Sequence, residues 1–281
     1  MKDPHSEILL EVKHLKVSFT AASPPLEAVK DTSFSLKRGS CLAIVGESGS
    51  GKSITALALT RLLPEKGCTI SGQILYKNKD ILSLGQKDLE AIRGKEIAYI
   101  FQEPSAVLNP VLSIGYQIQE TLLTHFPEEK QAKQKVLEAL EKVKIAKPMR
   151  CYESYPHELS GGMQQRAMIA MALVCKPSIL VADEATTALD VVTQKQILEL
   201  LDALRQEESM AILLITHNFH IVRRFADTTL VMHQGKLLEQ GPTESILNDP
   251  QHLYTKALLQ CMPKLEDKKP RLATIDTLMA S

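Results

Sequence analysis

The chain has 281 residues, 44% of them hydrophobic and 23% charged, the balance of an ordinary soluble globular protein with material for a large core and a subdomain. Lysine plus arginine equals aspartate plus glutamate at 33 each, so net charge argues for neither a nucleic-acid nor a membrane-surface partner. No apolar run approaches the ~18 residues that span a bilayer, no signal peptide is expected, and five scattered cysteines without CxxC spacing fit reduced thiols.

Taken in order, short strands are expected at 8–12, 15–19, 28–36 and 41–45, with turn residues at 21–25. The stretch 31–36 alternates polar and apolar, as a half-buried antiparallel strand does. Phe19 can lie over an adenine ring or serve as a core side chain, and both readings stay open. Residues 46–53 read Gly-Glu-Ser-Gly-Ser-Gly-Lys-Ser, after an apolar strand and before a run of helical spacing at 54–63. Strand, glycine loop and helix together make a phosphate-binding loop, so Gly46, Glu47, Ser48, Gly49, Ser50, Gly51, Lys52 and Ser53 are assigned to a nucleoside triphosphate. The glycines let successive N–H groups turn inward, and the helix starting near Lys52 adds its positive end. Lys52 can reach the β- and γ-phosphates, and the Ser53 hydroxyl can ligate Mg²⁺.

A hairpin strand follows at 72–80, a short helix at 84–93 and a strand at 96–101 ending at Gln102. Residues 104–110 read as a loop, then 111–124 and 128–144 as helices, the second with Val136, Leu137, Leu140 and Val143 on one stripe. Residues 104–165 are therefore expected to form a helical subdomain inserted into an α/β core made of 1–103 and 166–250, with a helix and frayed tail at 251–281. Within the insertion, Leu159-Ser-Gly-Gly-Met-Gln-Gln-Arg166 opens a helix running to about Cys175. The Ser160 hydroxyl with the Gly161 and Gly162 amides can form a second anion site, or simply an N-cap with glycines for close packing. One loop already serves this chain's triphosphate, so a second anion site makes sense closing over a nucleotide held by another chain.

The strand at 178–184 ends in Asp183 and Glu184. Strand alternation sends the two carboxylates in different directions, so Asp183 is assigned to the metal and Glu184 to general base for water attacking the γ-phosphate. A helix at 197–204 and a buried strand at 210–215 capped by Thr216-His217 follow, then strands at 228–233 and 236–240 and helices at 243–248 and 252–260.

These residues carry a resemblance to the ATP-binding cassette (ABC) proteins over about residues 8–260. Gly46–Ser53 resembles their Walker A, Leu159–Arg166 their signature motif, 179–184 their Walker B strand, Ala188-Leu-Asp190 the D-loop, Gln102 the Q-loop and Thr216-His217 the switch histidine. The resemblance implies a P-loop NTPase (RecA-like) core of ABC type with an N-terminal antiparallel β subdomain. It implies that Gln102 senses Mg²⁺ and the attacking water, that His217 contacts the γ-phosphate, and that Asp190 couples two facing ATP sites. Ile100-Phe-Gln-Glu-Pro104, Leu108-Asn-Pro110, Tyr155–Ser160 and Pro250–Thr255 are similar to the oligopeptide/dipeptide importer ATPases, a group that includes nickel importers. The implied protein is an ATPase on the cytoplasmic face of the cell (inner) membrane, working with two permease subunits, a related but different second ATPase and an extracytoplasmic substrate-binding protein. Ala185 stands where the family has Pro and Asn218 where it has Asp; neither change removes a catalytic group, so hydrolysis is expected to survive. Cys261 is the one cysteine near the C-terminal end, so no iron–sulfur cluster is expected. Two readings of other classes, a soluble ABC ATPase on ribosomes or DNA and a non-hydrolysing regulatory partner, are disfavoured by the neutral charge and by intact Lys52, Asp183, Glu184 and His217.

Overall fold

The computed structural model describes residues 7–20, 24–185 and 190–261. The expectations for residues 188 and 189 and for the tail beyond 261 lie outside these. The chain begins with β1 (Ile8–Phe19), β2 (Leu26–Lys37) and β3 (Cys41–Val45), followed by α1 (Lys52–Ala58). The two strands expected at 8–12 and 15–19 are one: a register shift between Val12 and Leu15, with His14 at φ 51°, bulges the strand without ending it. Helix α1 is shorter than the apolar spacing suggested, because the chain leaves the helix in turns after Ala58, with Arg61 at φ 54°.

Next come β4 (Cys68–Tyr76), β5 (Lys79–Asp80), α2 (Gln86–Ile92) and β6 (Ile97–Ile100). The helical insertion holds α3 (Pro104–Val107), α4 (Ile114–His125), α5 (Ala132–Lys142) and α6 (Pro148–Glu153), and leads into α7 (Gly161–Leu173). The expected loop at 104–110 thus contains a helical turn, started by Pro104 at its first position, where a missing N–H costs nothing. The α5 stripe buries Val136, Ala139 and Leu140, while Leu137 sits at its margin. The chain finishes with β7 (Ile179–Asp183), α8 (Val191–Glu208), β8 (Ala211–Ile215), α9 (Phe219–Phe225), β9 (Thr228–His233), β10 (Lys236–Pro242), α10 (Thr243–Asn248) and α11 (Leu253–Gln260).

Two sheets form. One is antiparallel in the order β2-β1-β4-β5; the other runs β10-β9-β3-β8-β7-β6, with parallel pairing from β9 through β6 and β10 antiparallel at its edge. Strands β3 and β8 are buried at every position, the near-continuous apolar reading of a parallel strand covered on both faces. One core lies between the two sheets and includes Leu9, Leu36, Ile44, Leu59 and Leu213. A second joins the other face of the large sheet to α4, α5 and α7. A third, smaller cluster packs α9, α10 and Tyr254 of α11 on Ala43 and Val45.

This topology decides where chemistry can happen. Strands β3, β6, β7 and β8 all run the same way, so the residues after their carboxyl ends gather along one edge. Those residues are the glycine loop, Gln102, the Asp183–Glu184 pair and Thr216-His217. All five cysteines are free, and burial pushes the thiols of Cys41 up to about 12 and of Cys151 and Cys175 up to about 11, so these three behave as small core residues.

Candidate active site

The glycine loop leaves β3 and enters α1 through Gly51, which caps the helix in the left-handed region at φ 102°. A Cβ on Gly51 would lie 2.5 Å from the Ala28 carbonyl oxygen, and one on Gly46 2.1 Å from that of Met232, so neither position admits a side chain. Lys52 is 5% exposed, and its ammonium donates to the carbonyls of Gly46 (2.9 Å) and Glu47 (2.7 Å) and approaches Ser50 Oγ at 3.4 Å. Burial holds its pKa below the ordinary lysine value, against the pull of Glu184, Asp183 and Glu47. The loop is braced from outside: the Gly235 N–H donates to Ser50 O (3.0 Å), and the Lys30 N–H to Gly235 O (2.7 Å).

Across the loop, Ser53 Oγ donates to Asp183 Oδ1 at 3.1 Å. Asp183 is pushed above the usual carboxylate range chiefly by burial, and neighbouring Glu184 adds to the push while the Ser53 bond and Lys52 oppose it. Glu184 turns the other way. It has φ 45°, its N–H donates to Ile215 O (3.0 Å), and its Oε1 lies 3.3 Å from His217 Nδ1. A glutamate in the left-handed region is strained, a cost of order 1–3 kcal/mol that persists where the surroundings over-determine it. Here they do: after Glu184, the Ala185 carbonyl takes the Nε2–H of buried Gln165, on α7, at 2.6 Å.

A cavity of about 680 Å³ lies over the loop, and Gly51, Lys52, Ser53, Gln102, Glu184 and Phe19 are among its walls. Phe19 packs partly against the inter-sheet core and also lines the cavity. The walls suit a nucleotide: backbone amides at a helix start and an ammonium for phosphate oxygens, and an aromatic at the far side for a base. The Ser53 hydroxyl and Asp183 carboxylate form an all-oxygen pair of the kind that suits a hard divalent cation held jointly with phosphates. Among the described residues no three His, Cys, Asp or Glu side chains cluster as a self-sufficient metal cage.

Not every expected residue reaches this cavity. Glu47, assigned to the nucleotide from the motif, does not line it; its carboxylate bonds with the Tyr254 hydroxyl (3.2 Å). Asp190 caps α8, accepting the N–H groups of Val192 (3.1 Å) and Thr193 (3.0 Å); the Thr193 hydroxyl first, then these N–H groups, hold its carboxyl below the usual range. Ser160, Gly161 and Gly162 start α7 outside the cavity. The Ser160 side chain does not make the helix cap that its position offers, Ser160 and Gly161 are exposed, and a Cβ on Gly161 would meet nothing within 4 Å. The serine is the N-cap residue without a side-chain cap bond, while Gly162 packs closely, a Cβ there lying 3.2 Å from Thr193 Cγ2. Lys30, Gln165, Gln234, Gly235 and Tyr254 shape the site without any motif to announce them; of these, Gly235 sits where only glycine fits, at φ 78° and with Ala28 O 2.8 Å from a would-be Cβ.

Comparison with known proteins adds three findings. A family profile described as "ABC transporter" matches residues 29–187, and one described as "Oligopeptide/dipeptide transporter, C-terminal region" matches residues 238–281. The chain is similar to the dipeptide transport ATP-binding protein DppD of Bacillus subtilis (strain 168), 46% identical over 272 residues, covering 96% of this chain and 81% of the relative. It is also 46% identical over 260 residues to the oligopeptide transport ATP-binding protein OppD of the same organism, covering 92% of this chain and 73% of that one. Among solved structures, it is similar to a dimeric post-hydrolysis state of the ATP-binding cassette MJ0796 bound to ADP and Pi, with a TM-score of 0.74 and 26% identity, covering 83% of this chain and 98% of the other.

Proposed function

The chain belongs to the ABC transporter family, as an ATP-hydrolysing subunit of the dipeptide and oligopeptide importer type, and on that premise we propose how its residues divide the work. The phosphate chain of ATP lies along the loop 46–53, with Lys52 on the β- and γ-phosphates and Phe19 against the base. Mg²⁺ would be held by Ser53 and Asp183 and would neutralise charge on the phosphates. Glu184 takes a proton from the attacking water as the bond between the γ-phosphorus and its bridging oxygen breaks, giving ADP and phosphate. His217, beside Glu184, orients that carboxylate and approaches the γ-phosphate, and Gln102 reports on the site from the cavity wall. The observation that carries this reading is the convergence of Ser53–Asp183 and Glu184–His217 on the loop from three separate strand ends.

The engine is completed by a second cassette, a related but different chain. Each nucleotide lies between one chain's Lys52 loop and the other's Ser160–Gly162, where Ser160 and Gly161 are exposed and the serine hydroxyl, which makes no cap bond, complements a γ-phosphate. Asp190, fixed at the start of α8, couples the two sites. No helix among the described residues is long and apolar enough to cross a membrane. By its likeness to peptide-import ATP-binding proteins, the chain works on the cytoplasmic face, against two membrane permease subunits supplied by an extracytoplasmic binding protein, with residues 104–165 as the docking surface.

The test is ATP turnover of Glu184→Gln against wild type, with particle mass followed by light scattering. Loss of a general base lowers turnover by about 10²–10⁴-fold. The variant is expected to accumulate as an ATP-bound dimer, with itself or with its partner chain. A variant that turns over like wild type would refute the assignment of Glu184.

A further inference from the structure

The segment that reaches the nucleotide loop from farthest away is α11, and nothing in the mechanism above uses it. Its Tyr254 is fully buried, the largest such side chain in the described structure. A buried tyrosine needs a partner for its hydroxyl. This one lies between the N–H and the carboxylate of a single residue, Glu47: the Glu47 N–H donates to Tyr254 Oη (3.3 Å), which donates to Glu47 Oε2 (3.2 Å). The two residues are 207 positions apart. On the other side of the same residue, the Glu47 carbonyl accepts Lys52 Nζ at 2.7 Å. One residue thus carries Tyr254 on its N–H and carboxylate and the phosphate-binding ammonium on its carbonyl.

The tyrosine is itself held firmly. His252 accepts the Tyr254 N–H (3.0 Å) as the helix cap, and Glu239 of β10 accepts the N–H groups of Gln251 (2.7 Å) and His252 (3.1 Å), so the turn into α11 has little freedom. The Tyr254 ring packs on His233 with centroids 4.1 Å apart, and His233 Nδ1 lies 3.6 Å from Glu47 Oε2. His233 ends β9, one residue before the Gln234–Gly235 turn that braces Ser50. Two elements of the C-terminal portion, α11 and the β9–β10 turn, therefore clamp the loop at Glu47 and Ser50.

We propose that Tyr254 is a positioning residue for the nucleotide site: through Glu47 it sets the first turn of the phosphate loop and the perch of Lys52, so that α11 and nucleotide binding are thermodynamically coupled. An alternative, a core tyrosine merely satisfied by the nearest carboxylate, would leave the loop indifferent to it. The proposal also accounts for Glu47 lying outside the cavity despite its place in the motif: its side chain faces the clamp. The inference rests on the nucleotide site described above.

Two measurements test it on the full chain. The first is a fluorescence titration with mant-ATP and Mg²⁺ of wild type, Tyr254→Phe, Glu47→Ala and the double variant, well below their melting temperatures. The phenylalanine keeps the ring on His233 and deletes only the hydroxyl. It is expected to weaken affinity about fivefold, the scale of one hydrogen bond. The double variant is expected to fall well short of the product of the two single effects, as for residues acting through one contact. The second is amide exchange of residues 253–260 in wild type with and without ATP and Mg²⁺, which needs no variant. Coupling is reciprocal, so nucleotide is expected to slow exchange in α11 by a similar factor, and not in Tyr254→Phe. Wild-type affinity in Tyr254→Phe, independent effects in the double variant, or exchange in wild-type α11 indifferent to nucleotide would overturn the proposal and leave the site reading standing. A wild type that binds no mant-ATP would overturn both.

Discussion

The phosphate loop and the turn at Ser160–Gly162 are both glycine-rich starts of a helix, yet they are built to opposite degrees of completion. Around the loop, Lys52 is buried and bonded to two carbonyls, Gly46 and Gly51 leave no room for a methyl group, and outside elements hold Glu47 and Ser50. At the other turn, Ser160 and Gly161 are exposed, the serine does not cap its helix, and Gly161 borders open space. A buried polar group must find its partners within the fold or destabilise it. An exposed one can wait for a partner from outside. The contrast fits a complete nucleotide cradle in one place and half of a composite site in the other.

The sharpest way to break that contrast is to put a methyl group on each side of it. Gly51→Ala forces a Cβ to within 2.5 Å of a backbone oxygen at φ 102°, and nucleotide affinity is expected to fall at least ~100-fold by titration, roughly 2.7 kcal/mol. At Gly161 an alanine meets nothing, so the change that discriminates there is one of charge. Gly161→Asp sets an anion where a γ-phosphate from the facing chain would come, and turnover is expected to drop about 10²-fold, as when a donor to the transition state is lost. Mant-ATP affinity of the single chain stays within about twofold of wild type, since RT ln 2 is a few tenths of a kcal/mol. If affinity and turnover fall together, Ser160–Gly162 belongs to its own chain's site and the composite reading is wrong.

The smallest effect concerns what the finished site costs the fold. Burial raises the Asp183 carboxyl above its ordinary 3.8, so the folded state binds that proton more tightly than the unfolded one. A raised value makes a stabilising contribution that is present below the ordinary value and lost as pH rises through the raised one. At neutral pH the buried charge is thus a burden. Asp183→Asn is expected to melt about 2–4 °C higher at pH 7 for each kcal/mol relieved, to lose Mg²⁺-dependent turnover, and to converge on wild type as pH falls toward 3.8. Thermal melts across that range decide it; an asparagine variant that melts lower at pH 7 would show that the Ser53 bond outweighs the burial.

How much of this could be read beforehand follows a physical rule. Loop 46–53 and the carboxylates after strand 179–183 were legible because neighbouring residues do the chemistry together, and backbone geometry alone carries them to one spot. Helices α3, α6 and α9 escaped, with four, six and seven residues, since fewer than about two turns give a weak period, although α2 and α10, of seven and six residues, were read. Strand β1 was read as two because its bulge at Val12–Leu15 interrupts the alternation, while the hydrogen bonding on either side continues.

The amino-acid sequence by itself determined the groups at hand: a glycine loop before a helix, two adjacent carboxylates at a strand end, and a second glycine turn that needed a reason to exist. Only the tertiary structure decided who holds whom. The parallel order of β3, β8, β7 and β6 sets Gln102, Asp183, Glu184 and His217 along one edge, Gln165 fixes the strained turn after the base, and Tyr254 grips the loop from the far end of the chain. Local spacing is written in covalent bonds and survives in any string of residues. Contacts across 207 positions exist only once burial of the three cores has brought the elements together, and no period or motif announces them.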